Sequence, residues 1–186
     1  MRKAVVVYES MYGNTHLISD AIATGLRTMT DADGDVVVVP VNEADAAVLA
    51  EADLVVVGGP THAHGVSRES TRHAAIDAAR KPESDLTVDA DAEGPGLRDW
   101  FETVDLLPTK AAAFDTRVNA PAPFTGRAAK GIAKRLRAHG CTVIVEPESF
   151  LVSKENHLLD DEVTHARAWG ARLATARRDP SSAATR

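Results

Sequence analysis

The sequence predicts an α/β fold in which one mostly parallel sheet is covered by helices on both faces. Three observations support this prediction: strand-like and helix-like segments alternate along the chain, the strand-like segments are almost continuously apolar, and the others repeat apolar residues at helical spacing. A strand that is apolar on both sides is typical of a parallel sheet, because helices bury both faces of such a sheet. We therefore expect a three-layer sandwich around a five-stranded parallel sheet.

The predicted strands are short apolar runs separated by longer connections. They are Lys3–Tyr8, Val36–Val41, Leu54–Gly58, Lys110–Phe114 and Thr142–Val145, the last with a continuation through Phe150–Val152. Connections of this length suit right-handed crossovers between parallel strands, and this rule leaves few topologies. The strand order 2-1-3-4-5 is the one that we expect.

Helices are predicted between these strands, where apolar residues recur every three or four positions. In Asn14–Met29, for example, Ile18, Ile22 and Leu26 fall on one face. The other predicted helices are Val66–Arg80, Gly126–Ala138 and Asp160–Arg178, with shorter ones at Glu43–Ala50 and Leu97–Phe101.

Two segments lack this periodicity. Lys81–Gly96 is acidic, contains two prolines and two glycines and has little apolar content, which predicts a solvated loop; the alternative is a docking patch for a partner. Asp179–Arg186 has the composition of a disordered tail. Residues 1–178 are therefore expected to form the domain.

Composition and charge limit the classes of function. Among the 186 residues, 44% are hydrophobic and 26% are charged, as in an ordinary globular domain that is long enough to bury a core. The net charge of −6 disfavours nucleic-acid binding, which needs a basic face, and suits docking to basic partner proteins. The single cysteine, Cys141, the absence of a signal-peptide pattern and the lack of a membrane-length apolar run predict a cytoplasmic location without a membrane segment.

The turn after the first strand has the features of a phosphate site. Gly13 allows the backbone to approach a ligand closely, and a helix that begins near Asn14 directs its free N–H groups and positive dipole end to the same place. The absence of a lysine argues against a triphosphate-binding P-loop, so a single phosphate group is predicted. The alternative is an ordinary turn in which Ser10 or Asn14 only caps the helix. The side-chain donors of the turn are Ser10, Tyr12, Asn14 and Thr15.

Two segments together resemble the flavin-binding loops of the flavodoxin family. Ser10-Met11-Tyr12-Gly13-Asn14-Thr15 is similar to the family's phosphate loop, and Pro60-Thr61-His62-Ala63-His64-Gly65 is similar to its second loop, where Gly-x-Pro-Thr precedes ring-facing residues. The two segments follow the first and third strands, between which the strand order reverses and ligands bind. The resemblance implies a flavodoxin-like fold with non-covalent FMN, held by the residues of both segments.

His62 and His64 stand where many flavodoxins place an aromatic residue against the isoalloxazine ring. A neutral imidazole can stack there, whereas an imidazolium would favour the anionic form of reduced flavin. One alternative is a metal site, which we do not expect because no cysteine and no nearby carboxylate completes a ligand set. The other is a structural or solvent-facing histidine.

The segment at the fourth strand departs from the family pattern. Typical flavodoxins have a glycine-rich loop with a stacking tyrosine here, and Asp115-Thr116-Arg117 has neither. Its position still predicts contact with the pyrimidine side of the flavin: Asp115 could accept from the ring N3–H, and Arg117 could face the N1/C2=O edge and raise the midpoint potential. Alternatively, Asp115 and Arg117 pair with each other, or Arg117 points to solvent.

The resemblance implies an electron carrier that works between a reductase and an acceptor, with FMN supplying the chemistry and no catalytic acid or base. A second reading is an FMN-dependent NAD(P)H:quinone oxidoreductase, whose Ser-Met-Tyr-Gly start is similar but whose fourth loop is rich in glycine and threonine. A third is a flavin-free binding module, since losing the stacking tyrosine could reflect losing the cofactor. We expect a redox carrier rather than a substrate-specific enzyme.

Overall fold

A computed structural model describes residues 2–28, 34–62, 65–105, 109–121 and 125–179 and shows a central sheet between two helical layers. The strands are β1 Arg2–Tyr8, β2 Gly34–Pro40, β3 Ala52–His62, β4 Gly65–Val66, β5 Lys110–Val118, β6 Thr142–Val143 and β7 Glu148–Val152. The helices are α1 Asn14–Thr28, α2 Ala46–Leu49, α3 Glu69–Ala79, α4 Leu97–Thr103, α5 Ala128–Ala138 and α6 Glu162–Arg178. Within these ranges no helix combines the length and the apolar character that crossing a membrane requires.

The order of the parallel strands confirms the predicted topology. The sheet runs β2-β1-β3-β5-β6, and β7 also pairs with β5. Here β6 pairs with Lys110–Ala111 and β7 with Phe114–Val118, so the two short strands occupy the fifth position one after the other. The predicted order 2-1-3-4-5 is therefore confirmed. The fifth strand ends at Val143 rather than Val145 and resumes at Glu148, and a short antiparallel strand, β4, is added beside β3.

Alternating strand residues build a core on each face of the sheet. Val5, Val7 and Val57 pack on one face with residues of α2, α4 and α5. Val6, Val56 and Phe114 pack on the other face with residues of α1 and α6, including Trp169. Burial on both faces is the reason why these strands are continuous apolar runs.

Two strands extend beyond their predicted ends. Strand β3 ends at His62 rather than Gly58, and β5 ends at Val118 rather than Phe114. The two extensions pair with each other, Gly59 with Asp115 and Pro60 with Thr116. The sequence pattern does not reveal this extension, because polar residues replace the apolar run where the strands leave the core. Two of the predicted loops are consequently strand ends.

The acidic segment between α3 and α4 is not simply a solvated loop. Ala92 is buried with Met11 and Ile76, and the backbone N–H of Asp89 donates to the carbonyl oxygen of Met11 at 2.8 Å. The sparse apolar residues of this segment thus fold back onto the turn after β1. The predicted disordered tail falls, apart from Asp179, outside the described residues.

Candidate functional site

The predicted segments converge at the carboxyl ends of β1, β3 and β5, at the reversal of strand order. A cavity of about 240 Å³ lies there. It is lined by Met11, Tyr12, Asn14 and Thr15 from the first segment, Pro60, Thr61 and His62 from the second, Thr116 and Arg117 from the third, and Val118, Val152 and Asn156. The last three were missed by sequence reasoning, which assigned ligand contacts to Asp115, Thr116 and Arg117 but none to Val118, to β7 or to the turn after β7.

The remaining predicted residues have other places. Ser10, Gly13, Gly65 and Asp115 are described but do not line this cavity. Ser10 is buried beneath the turn, Gly13 faces a neighbouring groove with His16 and Asp89, and Gly65 belongs to β4. Ala63 and His64 lie outside the described residues.

The turn after β1 is fixed by its own sequence. Gly13 has φ +85°, a left-handed conformation that favours glycine, and its N–H donates to Ser10 Oγ at 3.1 Å. Helix α1 begins at Asn14, so helix geometry leaves the first N–H groups of α1 without an acceptor inside the helix. These N–H groups and the positive end of the helix dipole form an anion-binding position.

Side chains of the turn connect the walls of the cavity. The hydroxyls of Thr15 and Thr116 share a hydrogen bond at 2.8 Å, and Asn14 Nδ2 donates to the carbonyl oxygen of Asn156 at 2.8 Å. The Tyr12 hydroxyl donates to the carbonyl oxygen of Ala75 at 2.8 Å. These hydrogen bonds join the turn to β5, to the turn after β7 and to α3, which leaves the backbone N–H groups as the principal donors for an anion.

His62 is a neutral imidazole at the edge of the cavity. Burial lowers its pKa below the ordinary value of 6.5, and the nearby Glu9 carboxylate opposes this shift only in part. Glu9 is itself buried and accepts from Ser67 Oγ and from the Leu97 N–H. A carboxylate therefore does lie near His62, contrary to the expectation from sequence, but it is committed to the start of α4.

Asp115 faces α5 rather than the cavity. It is fully buried, and its Oδ2 accepts from Thr61 Oγ1 at 3.0 Å and from the Ala129 N–H at 2.8 Å. Burial raises its pKa, and the hydrogen bond from Ala129 opposes that shift. Because side chains alternate along a strand, Asp115 and Thr116 point to opposite faces, and only Thr116 reaches the cavity.

Arg117 presents an unpartnered donor at the cavity wall. Its Nη1 donates to the carbonyl oxygen of Ala120 at 2.8 Å and to Thr125 Oγ1 at 3.2 Å, which fixes the guanidinium. Its Nε is buried and has no hydrogen-bond partner among the described residues. A buried donor without a partner is unusual in a folded protein, and a ligand oxygen in the cavity would satisfy it.

The groups around the cavity are of the kinds that would hold a flavin mononucleotide. Its volume of about 240 Å³ lies below the range of about 300–1,000 Å³ typical of sites that enclose a drug-sized ligand. A helix N-terminus suits the phosphate, the free Arg117 Nε suits a carbonyl oxygen of the pyrimidine ring, and His62 is a planar neutral group for the ring system. The donor set thus fits FMN, with much of the ligand left outside the cavity.

Comparisons with known proteins agree with this class of fold. The flavodoxin domain family matches residues 5–75, which include the second half of β1, the turn after it and β3. None of the curated proteins matches the chain in sequence. The chain therefore has a flavodoxin-like fold, and its first part is similar in sequence to the flavodoxin domain family.

Several solved structures share the fold over nearly the whole chain. A flavodoxin from the domain Archaea has a TM-score of 0.64 at 20% identity, and the superposition covers 95% of this chain and 99% of the flavodoxin. Oxidised flavodoxin 1 from Bacillus cereus has a TM-score of 0.61 at 22% identity, with coverages of 93% and 97%. A WrbA-like flavodoxin from Agrobacterium tumefaciens has a TM-score of 0.60 at 21% identity, with coverages of 96% and 98%. At these identities the similarity establishes the fold.

Proposed function

We propose that the protein binds FMN non-covalently and transfers electrons in the cytoplasm between a reductase and an acceptor protein. The observation that carries the proposal is the meeting of two donor groups at one cavity: the first N–H groups of α1, which have no acceptor inside the helix, and the unpartnered Nε of Arg117. The net charge of −6 suits docking to basic partner proteins.

Each part of the cavity has a role in this proposal. The first turn of α1 binds the phosphate, Arg117 Nε donates to a pyrimidine carbonyl oxygen, and neutral His62 lies beside the ring. Bound FMN supplies the electron-transfer chemistry, and the protein orients the cofactor and tunes its potentials. Asp115 is given a structural role in this proposal, because it does not line the cavity and its Oδ2 accepts from Thr61 and Ala129, although its Oδ1 has no hydrogen-bond partner among the described residues.

The first test is the visible absorption spectrum of the full-length protein, recorded as purified and again after FMN is added and the excess removed. We expect one equivalent of bound flavin, with the fluorescence of FMN changed on binding. Riboflavin, which lacks the phosphate, is the ligand control and should bind more weakly. A colourless protein that leaves FMN fluorescence unchanged would contradict the proposal and favour the flavin-free binding module.

Arg117→Gln tests the Arg117 donor, since glutamine keeps a polar side chain but loses the Nε–H, together with the Nη1 contacts to Ala120 and Thr125. We expect about a tenfold weaker FMN affinity, the equivalent of about 1.4 kcal/mol for one hydrogen bond. Arg80→Gln, on the exposed end of α3, is the control and should bind FMN like the parent protein. Equal affinities in all three proteins would remove Arg117 from the site.

The sequence Ser10-Met11-Tyr12-Gly13 also favours a second candidate, the FMN-dependent NAD(P)H:quinone oxidoreductases. Steady-state turnover of a quinone with NADH or NADPH separates the two functions. An electron carrier alone should show little turnover without a reductase, whereas an oxidoreductase should be saturable in both substrates.

A further inference from the structure

A second cluster of polar side chains lies on the other side of the turn after β1. His16 belongs to α1, and Asp89 and Asp91 belong to the acidic segment between α3 and α4. Each of the three side chains offers one ligand atom, and these atoms lie within 4.8 Å of one another. His16 Nδ1 and Asp89 Oδ2 are 3.5 Å apart.

Asp89 provides an independent sign that a cation belongs here. Its side chain is 7% exposed, and its Oδ2 is buried without a hydrogen-bond partner among the residues that the structure describes. The same oxygen is the atom that faces His16 Nδ1. An ionised carboxylate oxygen is costly to bury without a donor or a cation, so this oxygen needs a positively charged partner.

The surrounding residues hold the three side chains as a metal site requires. The Tyr8 hydroxyl donates to Asp91 Oδ2 at 2.8 Å, and the Tyr8 ring stacks on the His16 ring with centroids 4.4 Å apart. His16 Nε2 lies 4.0 Å from Asp20 Oδ2. With a metal on Nδ1 the ring proton would be on Nε2, the nitrogen that faces the Asp20 carboxylate.

We propose that His16, Asp89 and Asp91 bind a divalent first-row transition ion of the Zn²⁺ class. One imidazole with two carboxylates suits such an ion, whereas Mg²⁺ and Ca²⁺ prefer oxygen ligands throughout. Bond lengths of about 2.0–2.2 Å in a tetrahedral site separate neighbouring ligand atoms by about 3.4 Å. The 3.5 Å between His16 Nδ1 and Asp89 Oδ2 matches this separation. Water would complete the coordination.

The position of the site gives it a consequence for the neighbouring turn. Asp89 Oδ2 lies 4.0 Å from the point where a Cβ on Gly13 would stand, so an unneutralised Asp89 repels an anion bound at that turn. A bound cation would neutralise the two aspartates and join the acidic segment to α1. On the proposed function, Zn²⁺ would therefore strengthen FMN binding.

The site is tested by titrating Zn²⁺ calorimetrically into the full-length, tag-free protein after chelator treatment and buffer exchange, in the absence of flavin. The parent protein should bind one equivalent, and the affinity should fall at least tenfold in His16→Gln and in Asp89→Asn. Asp85→Asn, an exposed residue of the same segment, and His73→Gln, an exposed histidine of α3, are matched controls and should bind like the parent protein.

The outcomes are distinct from those of the flavin experiment because no flavin is present. Absence of a saturable equivalent, undiminished affinity in His16→Gln and Asp89→Asn, or Mg²⁺ binding as tight as Zn²⁺ would each overturn the site. Circular dichroism checks that the variants fold; His16 is 39% exposed, so its replacement should leave the helix intact. Co²⁺ provides a second readout, since strong visible absorption on binding indicates a tetrahedral site with these ligands.

Discussion

Two buried carboxylates near the cavity bind the first turns of helices. Glu9 Oε2 accepts from the Leu97 N–H at the start of α4, and Asp115 Oδ2 accepts from the Ala129 N–H at the start of α5. Such N–H groups have no acceptor inside their helix, and a negative charge is favourable at this end of the helix dipole. These two residues therefore position the helices that cover one face of the sheet.

Asp115→Ala should lower the free energy of unfolding by about 2–4 kcal/mol, because the Thr61 hydroxyl and the Ala129 N–H would lose their shared acceptor in a buried place. Urea unfolding of the protein without ligand measures the change. Asp115→Asn keeps an acceptor oxygen and should lose clearly less stability than Asp115→Ala. A loss below about 0.5 kcal/mol in Asp115→Ala would contradict the structural role.

His62 should make folding stability depend on pH on the acid side of neutrality. Its pKa is lower in the folded protein than the ordinary 6.5, so below about pH 6.5 the unfolded chain binds more protons. The contribution of His62 to the free energy of unfolding is therefore fully present above pH 6.5. It is lost as the pH falls through the pKa of His62 in the folded protein. Urea unfolding between about pH 5 and pH 7.5 should show a shallower decline for His62→Gln than for the parent protein. His73→Gln, at an exposed position, is the control and should follow the parent curve.

At the scale of elements, α1 and α6 approach closely through glycines. A Cβ on Gly25 would overlap the carbonyl oxygen of Arg167, and a Cβ on Gly170 would overlap that of Ile22. The absence of side chains at both positions brings the two helix backbones together. This contact places α1, and with it the anion-binding turn, on its face of the sheet.

Gly25→Ala should therefore destabilise the protein although alanine is the better helix former. The helix propensity gain of about 1 kcal/mol is outweighed by overpacking, which costs about 1–3 kcal/mol and more where backbone atoms must move. Gly131→Ala in α5 is the matched control, because its Cβ would meet only side-chain atoms, Val66 Cγ2 at 3.3 Å and Arg135 Nη1 at 3.6 Å. Thermal unfolding of both variants tests the difference; a Gly25→Ala protein as stable as Gly131→Ala would contradict the close contact.

The β3 and β5 extensions are the second feature at this scale. They bring Thr61 next to Asp115 and move Thr116 and Arg117 to the cavity. Strand alternation then decides that Thr116 meets Thr15 while Asp115 turns to α5. The register of this ladder thus selects which predicted residues can touch a ligand.

At the scale of the whole molecule, FMN binding should raise stability by linkage. A ligand that binds only the folded state at one hundred times its Kd adds about 2.7 kcal/mol to the free energy of unfolding. We expect this increase with FMN and a smaller one with the same concentration of riboflavin, which cannot use the N-terminus of α1. Chemical unfolding at several FMN concentrations measures it. If the free energy of unfolding did not change with FMN concentration, the folded protein would not bind FMN, which would contradict the proposed function.

The sequence alone determined the features that depend on neighbouring residues or on burial. The apolar runs of β1, β3 and β5 required a sheet covered on both faces, and the crossover rule then limited the strand order. Gly13 and the start of α1 fixed the anion-binding turn locally, because a left-handed residue and a helix N-terminus act over a few residues. The convergence of the two flavodoxin-like segments followed from the topology.

Only the tertiary structure decided the contacts between distant segments. The β3 and β5 ladder turned Asp115 away from the cavity, the fold placed Glu9 near His62, and the acidic segment brought Asp89 and Asp91 to His16. Strand ends and loops carry little hydrophobic pattern, and their course depends on many weak contacts summed over the folded chain. Local sequence therefore specified the frame and the anion-binding turn, whereas packing selected the side chains that face each site.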